Sequence, residues 1–159
     1  EMFRKLTSSR RDCSWLQFAH QVILFCEEPL EVQAWPAFLH RTEAQTRLSF
    51  FPRVIDCGRW FRPVEAIFEI PNDVTSLQFR LNEPLYYLRF NAPQPVQFVR
   101  FKMTPALFDI AIGCVNYPGY RPQTAIEKVY AQFQNTELLA RVGSLIRSQT
   151  AAQAALKVS

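Results

Sequence analysis

Histidine and cysteine are the residue types in this chain that could serve as metal ligands or nucleophiles. The two histidines, His20 and His40, lie in no HExxH motif and at no other metal-ligand spacing. A Cys–His nucleophile would need one of the four cysteines beside one of these histidines, and no sequence pattern pairs them. We therefore place His20 on a helix and His40 in a surface loop, and we predict neither a metal nor a cofactor.

The acidic residues and glycines do not indicate an enzyme either. There is no Asp-x-Asp motif and no calcium-loop spacing, and we interpret the adjacent Glu27 and Glu28 as a solvated helix end. The four glycines form no glycine-rich phosphate loop. The sequence therefore predicts no catalytic residues, and we expect that the chain by itself is not an enzyme.

The turn around Gly58 carries residues that are suited to binding. An exposed Trp60 between Arg59 and Arg62 would present a flat apolar face beside planar hydrogen-bond donors. Such a face can stack on a sugar ring or anchor a protein partner. The alternative is that Trp60 or Phe61 begins the next strand and plugs the end of a core. We predict Arg59, Trp60 and Arg62 as ligand-binding residues.

A second candidate set lies near the carboxyl end of the chain, where Tyr117 and Tyr120 flank Pro118-Gly119 in a loop. The same two interpretations apply to these tyrosines, and we add both to the predicted ligand-binding residues. Trp35, in contrast, is predicted to lie in the core.

Charge and cysteine spacing limit the expected partners and location. The net charge is +4, and the 18 lysines and arginines are spread along the chain rather than gathered in the patch that nucleic-acid binding requires. No apolar stretch reaches the roughly 18 to 20 residues of a membrane span, and no secretory leader is evident. The cysteines contain no Cys-x-x-Cys pair, so we expect reduced thiols and a cytoplasmic location. They are Cys13, Cys26, Cys57 and Cys114.

Alternation of apolar and polar residues predicts several strands in the middle of the chain. The clearest alternation places Leu77, Phe79 and Leu81 on one face of a strand. Further strands are predicted at 32–36, as an edge strand, and at 47–51, 64–70, 86–90, 96–103 and 108–115. Strands at this spacing with turn residues between them are typical of an antiparallel sandwich or barrel. The predicted inward residues are Phe68, Ile70, Leu77, Phe79, Leu81, Leu88, Phe90 and Phe101.

Helical spacing is predicted at both ends. Trp15, Phe18 and Val22 recur at three- and four-residue intervals, with a short helix passing into a strand at 22–26 as the alternative. After Thr124 a helical stripe continues to Ile146, with a break or bend near 135–136 and at Gly143. The predicted organisation is an N-terminal helical segment at 1–28, a β-sandwich domain at 30–115, a linker at 116–123 and a C-terminal helical segment at 124–159.

Four features in order carry a resemblance: a Gly-aromatic turn, the strand end Phe68–Pro71, then Leu77–Pro84, then Val96–Met103. Together they resemble the accessory β-sandwich domain found beside catalytic domains in multidomain bacterial glycosyltransferases and polysaccharide-assembly proteins. Asn82-Glu83-Pro84 stands where that pattern has Asp-Pro. The resemblance implies a mainly β, jelly-roll-like, non-catalytic module, part of a longer polypeptide, that binds a glycan or a neighbouring protein domain. The alternative is an assembly module that forms a homo-oligomer through its C-terminal helix, with the sandwich as a spacer.

Overall fold

The computed structural model describes residues 3–6, 13–115 and 125–158, and in these ranges it contains seven strands and four helices. The predicted linker, together with Tyr117 and Tyr120, lies outside the described residues. The chain is therefore mixed α and β rather than mainly β as predicted. The strands are β1 (Phe3–Leu6), β2 (Cys13–Ile23), β3 (Glu31–Pro36), β4 (Ser49–Phe50), β5 (Arg53–Asp56), β6 (Pro63–Pro71) and β7 (Tyr86–Phe90). The helices are α1 (Glu43–Arg47), α2 (Pro105–Val115), α3 (Ile126–Asn135) and α4 (Leu138–Val158).

The chain divides into two compact units. The first, the β unit, contains residues up to Val22, Val32–Ile55 and Pro63–Asn91. The second, the helical unit, contains Ile23–Glu31, Asp56–Arg62 and the chain from Ala92 onward. Neither unit is continuous in sequence, whereas the predicted organisation consists of consecutive segments.

The β unit holds two antiparallel sheets in a sandwich-like arrangement. One sheet has the order β1-β2-β6-β4 and the other β5-β3-β7. Phe18 and Phe68, both buried, meet edge to face at 5.7 Å, and Phe50 of β4 stacks on Tyr86 of β7 across the two sheets with ring centroids 5.7 Å apart. An aromatic core therefore joins the sheets, while the jelly-roll connectivity stays a prediction.

The predicted N-terminal helix is wrong, because residues 13–23 form β2. In this strand Leu16 and Phe18 pack together against the core, which is a period of two rather than the helical spacing that we expected. β2 pairs with β1, where Leu6 lies opposite Trp15 and Phe3 opposite Phe18. Pairing with neighbouring strands has overridden the local helical spacing, and His20 accordingly lies in a strand.

The strand at 32–36 is confirmed as β3, but its predicted edge position is wrong. It lies between β5 and β7 in its sheet, and Val32 pairs with Phe90 in the register. Pro36 is the last residue of the strand, so its missing N–H interrupts nothing further along. Trp35 is exposed rather than in the core, and its indole N–H donates to Gln33 Oε1 at 3.2 Å.

The predicted strands at 76–82 and 96–103 are both wrong, because neither segment joins a sheet. Of the predicted inward residues, Phe68 is fully buried, whereas Leu81 is 92% exposed. Side chains of α1 supply hydrogen bonds to the backbone at 76–78: Glu43 Oε2 accepts from Gln78 N–H at 3.0 Å, and Arg47 donates to the Ser76 carbonyl at 3.0 Å. The remaining predicted inward residues are half-buried.

The helical unit packs α2, α3 and α4 around a second core. Its fully buried side chains include Phe61, Leu107, Phe133 and Val142. The segment at 108–115, predicted as a strand, belongs to α2. The predicted C-terminal helices and the break between them are confirmed, with Glu137 in the left-handed region at φ 56°, although α4 continues through Gly143. Among the described residues, no helix is both long and apolar enough to cross a membrane.

Candidate functional site

The turn that carries the predicted binding residues is held by a short loop of the same unit. Asp56 Oδ1 accepts hydrogen bonds from the backbone N–H groups of Leu30 and Gly58, both at 3.0 Å. A Cβ atom on Gly58 would lie only 1.9 Å from the Glu28 carbonyl oxygen, so the position has no room for a side chain. The loop at 26–30 and the turn at 56–58 are thus packed backbone to backbone.

Arg59 and Trp60 both contact helix α3. The Arg59 guanidinium lies over the Tyr130 ring, 5.5 Å from its centroid, and Arg59 Nε is 4.0 Å from Asp56 Oδ2. The Tyr130 hydroxyl accepts a hydrogen bond from the Asp56 N–H at 3.1 Å. Trp60 packs against Phe133 and Tyr130, at 5.9 Å and 6.5 Å between ring centroids. Trp60 is therefore half-buried at the margin of the core.

A cavity of about 100 Å³ opens beside Trp60. Its walls are almost wholly apolar, and they come from α2, α3 and the start of α4. Gln132 and Thr136 are its polar residues, and the Thr136 hydroxyl is directed to the carbonyls of Gln132 and Phe133. The cavity suits a small apolar group better than a sugar ring, whose hydroxyls would need polar partners. The lining residues are Trp60, Gly113, Cys114, Val129, Gln132, Phe133, Thr136 and Leu138.

Helix α2 has apolar side chains on two different faces. One face is buried in the core of the helical unit by Leu107, Ile110, Ala111 and Cys114. The other face carries Phe108, Ile112 and Val115, which recur at i, i+4 and i+7 and are 55%, 42% and 38% exposed. We call these three residues the α2 face. Asp109 is the sole charged residue of the helix, so little in its sequence favours contact with water.

The segment before α2 exposes further apolar side chains. Phe98 and Val99 are both more than half exposed, and Val96 and Met103 are exposed to a smaller degree. The segment is nevertheless anchored, because Phe101 packs against the core and the Lys102 N–H donates to Gln149 Oε1 at 2.8 Å. Exposed apolar side chains therefore occur both in this segment and on the α2 face that follows it in sequence.

Burial favours the neutral forms of Cys114 and Tyr130, two titratable groups near the Trp60 cavity. It raises the pKa of the Cys114 thiol, whereas the hydrogen bond with the Phe61 backbone and the Arg62 charge act in the opposite direction. Burial also raises the pKa of the Tyr130 hydroxyl. Among the described residues no group of three His, Cys, Asp or Glu side chains is placed to hold a metal ion. A buried thiol with a raised pKa is a poor nucleophile.

The structure brings some of the predicted site residues together. Arg59 and Trp60 lie together against α3, and Arg62 lies close enough to Cys114 for its charge to act on that thiol. His40 is in a loop as predicted, and its Nδ1 is hydrogen bonded to the Tyr87 hydroxyl. The sequence reasoning missed Tyr130 as the aromatic partner of Arg59, and it missed the α2 face.

Comparison with protein-family models, with curated proteins and with solved structures found no match to this chain. The resemblance to accessory domains of bacterial glycosyltransferases therefore stays a prediction.

Proposed function

We propose that this protein is a non-catalytic protein-binding module that assembles with a second copy of itself through the α2 face. The observation that carries the proposal is the row of Phe108, Ile112 and Val115, which leaves a regular helix apolar on its exposed side. A helix that is apolar on both sides normally has a partner on both sides. The helical unit covers one side of α2, and a partner would cover the other.

A protein surface fits this face better than a glycan does. Sugar binding needs hydrogen-bond donors and acceptors around an aromatic platform, and Phe108, Ile112 and Val115 offer none from their side chains. Apolar helical rows of this kind are typical of docking between proteins, where large side chains anchor the contact. The proposal therefore keeps the protein-binding part of the predicted function.

The size and charge of the surface favour a second copy as the partner. Seven large apolar side chains are exposed on the α2 face and in the preceding segment, and a standard interface of roughly 800 Å² per partner needs apolar anchors of this kind. A twofold contact places a patch against itself, so a patch without charge avoids like-charge repulsion. The exposed charges nearby have both signs, Asp109 on α2 and Arg100 and Lys102 before it.

The C-terminal helix is a weaker candidate for this assembly than α2. Leu138, Leu139 and Leu145 of α4 pack against the core of their own unit. Their apolar surface is already used there, which is why we place the contact on α2 rather than on the segment at 124–159. We also propose the cytoplasm as the location, because all four cysteines are free in the structure and reduced thiols are the rule in that compartment.

Sedimentation velocity across a micromolar concentration series tests the proposal. We expect dimers for the wild type and monomers for Ile112→Lys, because a charge would be buried without a partner in the contact. Ser144→Lys adds the same charge at an exposed position of α4 and should remain dimeric. A wild type that stays monomeric throughout, or an Ile112→Lys variant that dimerises like the wild type, would overturn the proposal.

A glycan array tests the other predicted function, which is sugar binding at Trp60. We expect neither the wild type nor Trp60→Ala to bind a glycan. If the wild type binds one and a folded Trp60→Ala variant does not, the sugar-binding function replaces the one proposed here.

A further inference from the structure

Two cysteines meet where the loop at 26–30 packs against the turn at 56–58. The Cys26 N–H donates to the Cys57 carbonyl at 3.2 Å, and the Cys57 N–H donates to the Leu30 carbonyl at 3.0 Å. This single backbone hydrogen bond keeps the two Cα atoms no more than about 7 Å apart, because only the Cα–N and Cα–C=O bonds add to its N···O distance. Disulfides form at Cα separations of roughly 4.4 to 6.8 Å, so the two residues need at most a small shift to be bridged.

The two thiols differ in accessibility. Cys57 is buried, and its thiol donates to the Leu30 carbonyl at 3.4 Å, whereas Cys26 is only half-buried. Burial, together with a smaller contribution from Cys26, raises the pKa of Cys57 to about 12, so the two thiols are close enough to interact electrostatically. Cys26 is therefore the thiol that an oxidant in solution reaches first. Cys57 is buried and protonated, and it is the thiol with which an oxidised Cys26 would react.

We propose that Cys26 and Cys57 form a reversible disulfide when a peroxide oxidises Cys26. The Cys26 thiolate attacks one peroxide oxygen, the O–O bond breaks, and the departing oxygen leaves as water after taking a proton. The resulting sulfenic sulfur is then attacked by Cys57, which forms the S–S bond and releases the second oxygen as water with the Cys57 proton. Overall, two thiols and one hydrogen peroxide give one disulfide and two water molecules.

The hydrogen bonding around Cys57 can accommodate the disulfide. The Leu30 carbonyl loses the Cys57 thiol donor but keeps the Cys57 N–H, so no buried acceptor is left without a partner. The bond would lock the turn that carries Arg59 and Trp60 onto the loop at 26–30. Oxidation would thereby add a covalent bond to a contact that hydrogen bonds hold in the reduced protein.

Peptide mapping of the whole chain after treatment with hydrogen peroxide tests the proposal. The oxidised protein is alkylated in denaturant, and trypsin places Cys57 alone in residues 54–59. Chymotrypsin cuts at Trp15 and Phe18 and thereby separates Cys13 from Cys26. We expect a Cys26–Cys57 linked peptide that has lost two hydrogens, alkylated Cys13 and Cys114, and full reversal by dithiothreitol. We also expect the oxidised protein to unfold at a higher urea concentration than the reduced protein.

The Cys57→Ser variant provides the matched control. Without the second thiol, Cys26 should stop at the sulfenic acid and be trapped by dimedone, and the rise in urea midpoint should disappear. The proposal is overturned if peroxide drives Cys26 of the wild type to a sulfinic acid while Cys57 remains alkylated. It is equally overturned if either cysteine pairs instead with Cys13 or Cys114.

Discussion

Strand β6 of the β unit and helix α2 of the helical unit each bury one row of apolar side chains, but their other faces differ. The buried row of β6 contains Val64, Ala66 and Phe68. Its opposite face includes Glu65 and Glu69, and Glu65 lies 3.9 Å from Arg53 in an ion pair. The opposite face of α2 carries large apolar side chains instead.

This difference indicates which of the two elements needs a partner outside its own unit. Carboxylates on the second face of β6 are stable in water or beside a cation, so that strand needs nothing beyond its own unit. Phe108, Ile112 and Val115 are exposed, and covering them with another surface would lower the free energy of the protein in water. We therefore expect substitutions on β6 to change folding, and substitutions on the α2 face to change assembly.

The largest effect is expected for Phe68→Ala. The ring is fully buried between Phe18 and Phe50, so its removal should lower the free energy of unfolding by about 3 to 5 kcal/mol. Urea denaturation followed by circular dichroism measures this loss. A loss below about 1 kcal/mol, as expected of a surface residue, would contradict the assignment of β6 as the core strand.

The second-largest effect is expected at alkaline pH, which should lower the free energy of unfolding of the helical unit. The pKa of Cys57 is about 12 in the folded protein against an ordinary value of 9.0, so the unfolded chain loses this proton first. Between pH 9 and 12 the free energy of unfolding should therefore fall, by at most about 1.4 kcal/mol per pH unit. Urea midpoints measured from pH 8 upward test this. Cys57→Ser should reduce the decline, while Cys114, whose pKa burial also raises, should retain part of it and the buried tyrosines should add to it above about pH 10.

Gly58→Ala should have a smaller but distinct effect, because the new methyl group would overlap the Glu28 carbonyl. Shifting that backbone should cost about 1 to 3 kcal/mol of stability. Gly113→Ala is the matched control, since a Cβ at that position meets no atom within 4 Å and alanine favours the helix. The Tm should therefore fall for Gly58→Ala and rise for Gly113→Ala. Equal shifts of Tm in the two variants would refute the close approach at Gly58.

The smallest effect on folding is expected for Ile112→Ser. The side chain is exposed in a single copy, so the free energy of unfolding of dilute protein should change by no more than about 0.5 kcal/mol. The wild-type Tm should rise with protein concentration, as it does when association stabilises the fold, and that rise should vanish in the variant. A loss as large as that of Phe68→Ala would place Ile112 in a core instead.

The sequence predicted β6 correctly and the neighbouring segment at 76–82 wrongly, although both alternate. β6 has partner strands, and Phe50 pairs with Phe68 in its register. The segment at 76–82 is held by Glu43 and Arg47 side chains rather than by a strand, and it turns at Asn82 with φ 70°. Alternation alone does not reveal whether a partner strand is present.

The sequence did contain a signal for α2 that the apolar pattern at 108–115 obscured. Thr104 precedes Pro105, which is the arrangement of a helix N-cap followed by proline at the first helical position. In the structure the Thr104 hydroxyl accepts a hydrogen bond from the Leu107 N–H at 3.3 Å. The exposed face could not be predicted without this helix, because its three residues share a face only at helical spacing.

Site-specific photo-crosslinking tests the central claim most directly. A benzophenone amino acid is placed at residue 112 on the α2 face or, as the control, at residue 144 on the exposed side of α4. Irradiation of the purified protein should give a covalent dimer from residue 112, with crosslinks to residues 96–115 of the second copy, and none from residue 144. Monomer alone from residue 112, or equal dimer yields from both positions, would contradict assembly through the α2 face.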